Sequence, residues 1–175
     1  MLFDEEMLLD LRLNIMDKYV DKFVITEATY MHSGKPKKLI FDINKFSKFK
    51  DKIIYIVVDK PPPNLFKIEN NDNLDKKQSK MIKNAKEREM HQINMVQDGI
   101  IKADPDDIII ISDVDEIPNL EKVDFKKIKQ KIIFFRQKMF YYKLNLYYKM
   151  PWYGSKACKK KYFKNAEWLR SIKNK

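Results

Sequence analysis

The chain has 175 residues, 44% of them hydrophobic, and a formal net charge of +11 from 36 Lys and Arg against 25 Asp and Glu. That length suits one domain around one core, and that apolar share excludes a disordered chain. The single cysteine, Cys158, excludes an internal disulfide framework, and with only two histidines, His32 and His91, nothing resembles a zinc or His-rich metal centre.

The opening "MLFDEEMLLDLRLN" carries Asp4, Glu5, Glu6, Asp10 and Arg12, so it lacks the uncharged core of a signal peptide. No stretch approaches the length of an apolar membrane span. The expectation is a soluble, cytoplasmic protein without a transmembrane segment. Residues 6–18 read as a helix, with Leu8, Leu11 and Ile15 on one face and Leu9, Leu13 and Met16 beside them. Phe23–Thr26 is a short strand, and "HSGKPKK" is a turn punctuated by Gly34 and Pro36. Ile53–Val58 is a second strand, apolar on both faces and ended by Pro61, Pro62 and Pro63. Residues 64–78 are polar and read as a loop.

A long helix is predicted over 79–102, capped by Ser79. Its periodic positions are Ile82, Ala85, Glu89, Ile93, Val96 and Ile100, and Gly99 weakens its last turn. Asp104-Pro105-Asp106 is a turn. Asp107–Ile111 then reads as a strand buried on both faces. A short helix near Asp124–Lys131 and one or two aromatic strands in "KIIFFRQKMFYYKLNLYY" follow. Strands alternating with helices predict an α/β sandwich with a largely parallel sheet, in one domain over 1–175.

The positive charge invites an anionic partner. Yet arginine occurs only at Arg12, Arg88, Arg136 and Arg170, and the remaining basic residues are lysines spread along the chain. Readers of nucleic acid lean on arginine for bidentate contacts. No nucleic-acid partner is therefore expected.

The segment "DDIIIISDVDEIP", residues 106–118, places Asp113, Asp115 and Glu116 directly after an apolar strand. Open α/β sheets bind ligands just past the carboxyl ends of their strands. Two carboxylates one residue apart in an extended segment face one side. They suit a hard divalent cation completed by water and phosphate oxygens. A polar cap for the next segment is the plainer alternative.

The same segment resembles the signature of glycosyltransferase family 17, which includes enzymes that add the bisecting N-acetylglucosamine to N-glycans. The resemblance is carried also by "LLDLRLNIMDKYVDKFVITEATYMHSGKPKKLIF", "AKEREMHQINMVQDGI", "FYYKLNL" and "PWYG", in order from about Leu2 to Gly154. It implies a GT-A type, Rossmann-like fold with a mostly parallel sheet flanked by helices. It implies a UDP-sugar donor, UDP-N-acetylglucosamine, and transfer to a glycan or glycoconjugate with inversion. Asp113 and Asp115 fall at the Mn²⁺ or Mg²⁺ ion and the donor diphosphate. Asp115 is expected on the metal, and Asp113 on the ribose or on the metal through water.

Inversion in one step needs a base, and Glu116 is the candidate catalytic residue. Glu27, at the end of the first strand, belongs with Lys35 or Lys37 of the turn on the donor side of the pocket. Arg88 of the long helix pairs either with the Asp113 loop or with its own helix neighbours. Tyr141, Tyr142, Trp152 and Tyr153 stack either on sugar rings or in the core.

No membrane anchor reads from this sequence, so the expected acceptor is a surface polysaccharide, a lipid-linked sugar or a protein. The family's further segment rich in Gly, Trp and His is expected to be missing. Two alternatives stand beside the transferase: a catalytically inactive nucleotide-sugar-binding fragment, and a basic nucleic-acid-binding protein. A sugar nucleotidyltransferase would want a glycine-rich phosphate loop, and the chain has three glycines in all.

Overall fold

The computed structural model describes residues 5–142 and 145–174. They divide into two compact units, one of Lys22–Ile101 and one of Glu5–Asp21 with the chain from Lys102 onward. The fold class is α/β, with parallel and antiparallel pairing both present.

In the first unit, β1 (Phe23–Ala28) and β2 (Ile53–Val58) pair in parallel, Phe23 opposite Ile53 through Ala28 opposite Val58. β-Branched and aromatic residues favour both strands. Ala28, Tyr30 and Val58 form a buried cluster against which Met95 packs. The long helix begins earlier than Ser79. It is α2 (Leu74–Asn94), and Asn73 caps it by accepting from the Lys76 amide at 2.9 Å. The stretch after Asn73, "LDKKQ", consists mostly of good helix formers, so part of the expected loop is helical. A second, short helix, α3 (Val96–Gly99), follows a break at Met95.

The apolar stripe expected along this helix seats it only in part, through Ile93. Ile82 is exposed, and the buried positions are Asn84, Gln92 and Ile93. The Asn84 amide accepts from the Phe66 N–H at 2.7 Å and donates to the Phe66 carbonyl at 2.8 Å. Gln92 Nε2 donates to the Thr26 carbonyl at 3.2 Å. Side-chain amides of the helix thus bond the backbone of neighbouring segments directly. Gly99 does more than end a helix: a Cβ there would sit 2.4 Å from Val24 Cγ1, so α3 lies directly on β1.

In the second unit, α1 (Glu6–Met16) buries Leu9, Leu13 and Met16, while Leu11 and Ile15 of the expected face are exposed. The strands are β3 (Ile108–Ile111), β4 (Ile132–Phe134), β5 (Gln137–Phe140), β6 (Tyr147–Trp152) and β7 (Lys156–Lys159). β7 runs antiparallel between β3 and β4, and β5 pairs antiparallel with β6. The expectation of a largely parallel sheet therefore gives way to mixed pairing. β7 comes directly after the β5–β6 hairpin and enters the sheet in reverse. Its Ala157 and Cys158 are wholly buried. β3 has neighbours on one edge only among the described residues, and of its four isoleucines only Ile109 is fully buried. It is not the strand buried on both faces that its composition predicts.

No helix forms over 124–131; the nearest helical turn is Leu120–Lys122. A last helix, α4 (Ala166–Ser171), is capped by Asn165 accepting from the Trp168 amide at 2.7 Å. No helix among the described residues is long and apolar enough to cross a membrane.

Gly99→Ala is expected to destabilise the fold by about 1–3 kcal/mol, because the Val24 methyl groups cannot swing clear. Urea unfolding measures the loss, and adding Val24→Ala to the variant restores most of it.

Candidate functional site

The acid loop sits where β3 ends. Ser112 to Glu116 fold into a tight turn in which the Glu116 amide donates to the Asp113 carbonyl at 3.1 Å. Two arginines hold it. From α1, Arg12 Nη1 donates to the Asp113 carbonyl at 2.9 Å and to the Glu116 carbonyl at 2.7 Å, and Nη2 donates to Ser112 Oγ at 2.5 Å. Burying Leu9, Leu13 and Met16 is what turns Arg12, on the flank of the same helix, toward this loop. Burial draws the Arg12 guanidinium below its ordinary value, against the opposing charges of Glu116, Asp113 and Asp115. From α4, Arg170 grips the Asp113 carboxylate with both ends of its fork: Nη1 donates to Oδ1, and Nη2 to Oδ2 at 2.8 Å. Burial alone would raise the Asp113 carboxyl, but the Arg170 pair outweighs it and holds the group below its usual value.

Glu116 is buried, 7% exposed, and faces inward. Its Oε1 accepts from the Trp152 indole N–H at 2.5 Å. Its Oε2 accepts from the Asp113 amide at 3.1 Å and from Ser155 Oγ at 3.3 Å. Gly154 completes the seat, since a Cβ there would fall 1.6 Å from Glu116 Oε1. "PWYGS" is thus a socket for Glu116. The buried Lys156 next to it donates to the Arg170 carbonyl, and burial lowers its ammonium below the ordinary lysine value.

Asp115 differs from both neighbours. It is exposed, and among the described residues its carboxylate accepts no hydrogen bond and forms no ion pair, although the Arg12 charge acts on it from nearby. No group of three or more His, Cys, Asp and Glu side chains among the described residues encloses a metal position. The donor set fits a hard cation held by one carboxylate, with water and phosphate oxygens completing the shell. Cys158 offers no alternative chemistry, because burial pushes its thiol up to about 11.

The other expected site residues lie in the first unit. Glu27 is fully buried. Its carboxylate accepts from Lys37 Nζ, from the Ile40 amide at 2.8 Å, from the Phe41 amide at 3.1 Å and from the Tyr55 hydroxyl at 2.8 Å. Phe41 stacks on Tyr55, with ring centroids 4.5 Å apart, over this cluster. Burial pushes the Glu27 carboxyl upward, yet the four donors together hold it below its ordinary value. The same burial, with Glu27 as neighbour, raises the Tyr55 phenol.

Arg88 bonds within the first unit. It donates to the His32 carbonyl at 3.0 Å and lies against Gly34, whose φ is +88°. Lys35 is exposed in the same turn and forms no ion pair. Of the aromatic residues, Trp152 reaches the acid loop. Tyr141 instead meets Tyr148 edge to face at 5.4 Å, and Tyr142 is fully exposed.

The sequence reading missed Arg12, Arg170, Ser155 and Gly154. Arginine's rarity in a lysine-rich chain was the available signal, because a planar fork does what an ammonium cannot.

A second cleft lies nearby in the same unit. It has a volume of about 420 Å³ and is lined by Pro118, Asn119, Asp124, Phe134, Arg136 and Gln137 among others. Gln137 Oε1 is buried without a partner. Gln137 is the cross-strand partner of Trp152, which holds Glu116.

Trp152→Phe keeps the ring but removes the donor to a buried carboxylate, and Gly154→Ala forces that carboxylate out of its seat. Each is expected to cost about 1–3 kcal/mol in thermal unfolding. For Glu27 the folded value lies below the ordinary value near 4.5. Its contribution to stability is therefore present above that pH and is lost as pH falls through the folded value. Wild type should lose stability on acidification more steeply than Glu27→Gln, and urea midpoints measured across the acid range check this.

The model described as glycosyltransferase family 17 matches residues 1–171. The beta-1,4-mannosyl-glycoprotein 4-beta-N-acetylglucosaminyltransferase of Homo sapiens is 30% identical over 128 residues, which is 69% of this chain and 21% of that protein. The enzyme of the same name from Rattus norvegicus matches with the same identity and coverage. The matched stretch thus spans about a fifth of these curated relatives. No solved structure matches the chain. With the family model covering nearly every residue, the acid loop and its two arginines included, the chain belongs to glycosyltransferase family 17.

Proposed function

We propose that this chain transfers a sugar, N-acetylglucosamine, from a UDP-sugar to a glycan or glycoconjugate hydroxyl with inversion. The observation that carries the reading is the state of Asp115. It is the one carboxylate of the loop left uncommitted, on a turn fixed by Arg12 and Arg170. The relatives' names support acetylglucosaminyl transfer as the activity.

In this reading Asp115 holds a Mn²⁺ or Mg²⁺ ion, and Asp113 faces the donor. When bound, the cation supplies Lewis-acid stabilisation of the charge that develops on the departing diphosphate. The chain's own part is to fix Asp115 on a turn that cannot drift. The acceptor hydroxyl attacks the anomeric carbon, the bond from that carbon to the diphosphate oxygen breaks, and the hydroxyl proton leaves to a base. The cleft bearing Gln137 is our choice for the acceptor. It begins two residues beyond Glu116 and is lined by Gln137, whose Oε1 has no hydrogen-bond partner among the described residues.

Glu116 is assigned first a positioning task. As base, it would have to exchange the Trp152 or the Ser155 hydrogen bond for the acceptor. Glu116→Gln separates the two roles: a positioning residue loses melting temperature and donor binding together, whereas a base keeps binding and loses turnover.

Calorimetry of UDP and UDP-N-acetylglucosamine, with and without Mn²⁺, tests the whole reading on wild type and Asp115→Ala. Metal-dependent binding that the variant loses by tenfold or more, roughly one coordinated carboxylate, is the expected outcome. Binding indifferent to Asp115→Ala sinks the metal assignment. Failure to bind any uridine nucleotide sinks the donor assignment.

A further inference from the structure

The lysines are spread along the chain, but the acids are not. Residues 125–166 hold 13 of the 36 basic residues and none of the 25 acidic ones. The rest of the chain carries 23 basic against 25 acidic residues, so the whole positive excess lies in these 42 positions. Part of that charge is used within the fold. Lys159 and Lys161 both pair with Asp106, and Lys156 is buried. Arg136, Lys138 and Lys149, on and beside the β5–β6 hairpin, are exposed and form no ion pair among the described residues.

The same hairpin concentrates exposed apolar side chains. Phe140, Tyr141, Tyr142, Leu146, Tyr147, Tyr148 and Met150 are each at least 40% exposed. Phe140 and Tyr147 sit opposite each other across the strands, with ring centroids 5.5 Å apart. At the turn, Tyr142 is fully exposed at a φ of 57°, a left-handed conformation that a tyrosine adopts only at a cost. Beyond the sheet-edge pairing of β5 with β6, no third strand covers the hairpin among the described residues.

Tyrosine and lysine around exposed aliphatic side chains is the chemistry of a bilayer's headgroup zone. There the rings sit at headgroup level, lysines meet anionic lipid, and aliphatic side chains enter the acyl boundary. Leu146 and Met150 argue against a sugar or a nucleic acid as occupant, since neither offers a ring to stack or a polar group to bond. We propose that the β5–β6 hairpin docks this chain onto an anionic membrane surface. The proposal stands on the hairpin alone and does not require the transferase reading.

Vesicle flotation of the full chain tests it, with phosphatidylcholine alone or mixed with phosphatidylglycerol. The chain should float with the mixed vesicles and not with the neutral ones. Lys138→Gln with Lys149→Gln should weaken the partition about 25-fold, from roughly fivefold per lysine. Leu146→Ser with Met150→Ser should weaken it more than tenfold. Both double variants should keep the wild-type melting temperature, because the altered side chains are exposed.

Three outcomes overturn the proposal. One is no flotation with mixed vesicles. Another is retention on heparin equal to vesicle binding and untouched by the Leu146 and Met150 changes, which would mark a surface for soluble polyanions. The last is sedimentation of wild type as a dimer that those changes split, which would mark an interface between two copies.

Discussion

Arg12 is the residue on which the acid loop depends. A four-residue turn bearing three carboxylates repels itself and exposes carbonyls that point inward. One guanidinium answers both problems. Its two terminal nitrogens take the Asp113 and Glu116 carbonyls and the Ser112 hydroxyl, and its charge lies among three acids. Hydrogen bonds from a charged donor are worth about 1.5–3 kcal/mol each where solvent is scarce. That is enough to fix a loop which backbone pairing alone leaves with one internal bond. The helix that carries Arg12 is aimed by Leu9, Leu13 and Met16, so a hydrophobic stripe at the start of the chain sets the shape of a loop 100 residues later.

Glu27 and Glu116 solve the same problem in the two units. A buried carboxylate needs hydrogen-bond donors to replace the water it lost. Glu27 gathers four donors from the turn after β1 and from β2. Glu116 gathers three, two of them from the Trp152–Ser155 stretch. Glu27 ties down Ile40 and Phe41, which lie outside any strand, and Glu116 ties the end of β6 to the link that leads into β7. Removing the acid strands several donors at once, and that asymmetry makes such latches stiff.

The elements with strong local chemistry were legible in the sequence. β1, β2 and β3 follow from β-branched runs, and the Gly34 turn follows from its glycine and proline. So was the Asp113–Glu116 loop as the place to look. What the sequence hid was non-local. β7 reads as "KACK", a lysine-flanked pair of small residues, and only its position between β3 and β4 makes it a strand. α2 is seated by Asn84 and Gln92, and no hydrophobic periodicity betrays a polar anchor. Glu27 and Glu116 read as free carboxylates at strand ends. Their burial depends on Tyr55 in one case and Trp152 in the other, 28 and 36 residues away.

The Asp-x-Asp pair is therefore not two equivalent ligands. Arg170 closes a planar, two-bond fork on Asp113, and a lysine at that position would supply a point charge without the fork. In a chain where lysine outnumbers arginine 32 to 4, three of the four arginines, Arg12, Arg88 and Arg170, bond inside the fold. Arg12 and Arg170 each bond through two nitrogens at once, which guanidinium geometry allows and an ammonium does not. With Asp113 committed to its arginine and Glu116 to its socket, the loop has one carboxylate with its lone pairs unspent. A rigid turn that presents one exposed carboxylate beside two with committed oxygens leaves its free lone pairs at one point. A hard cation shared with a diphosphate needs such a point from its protein.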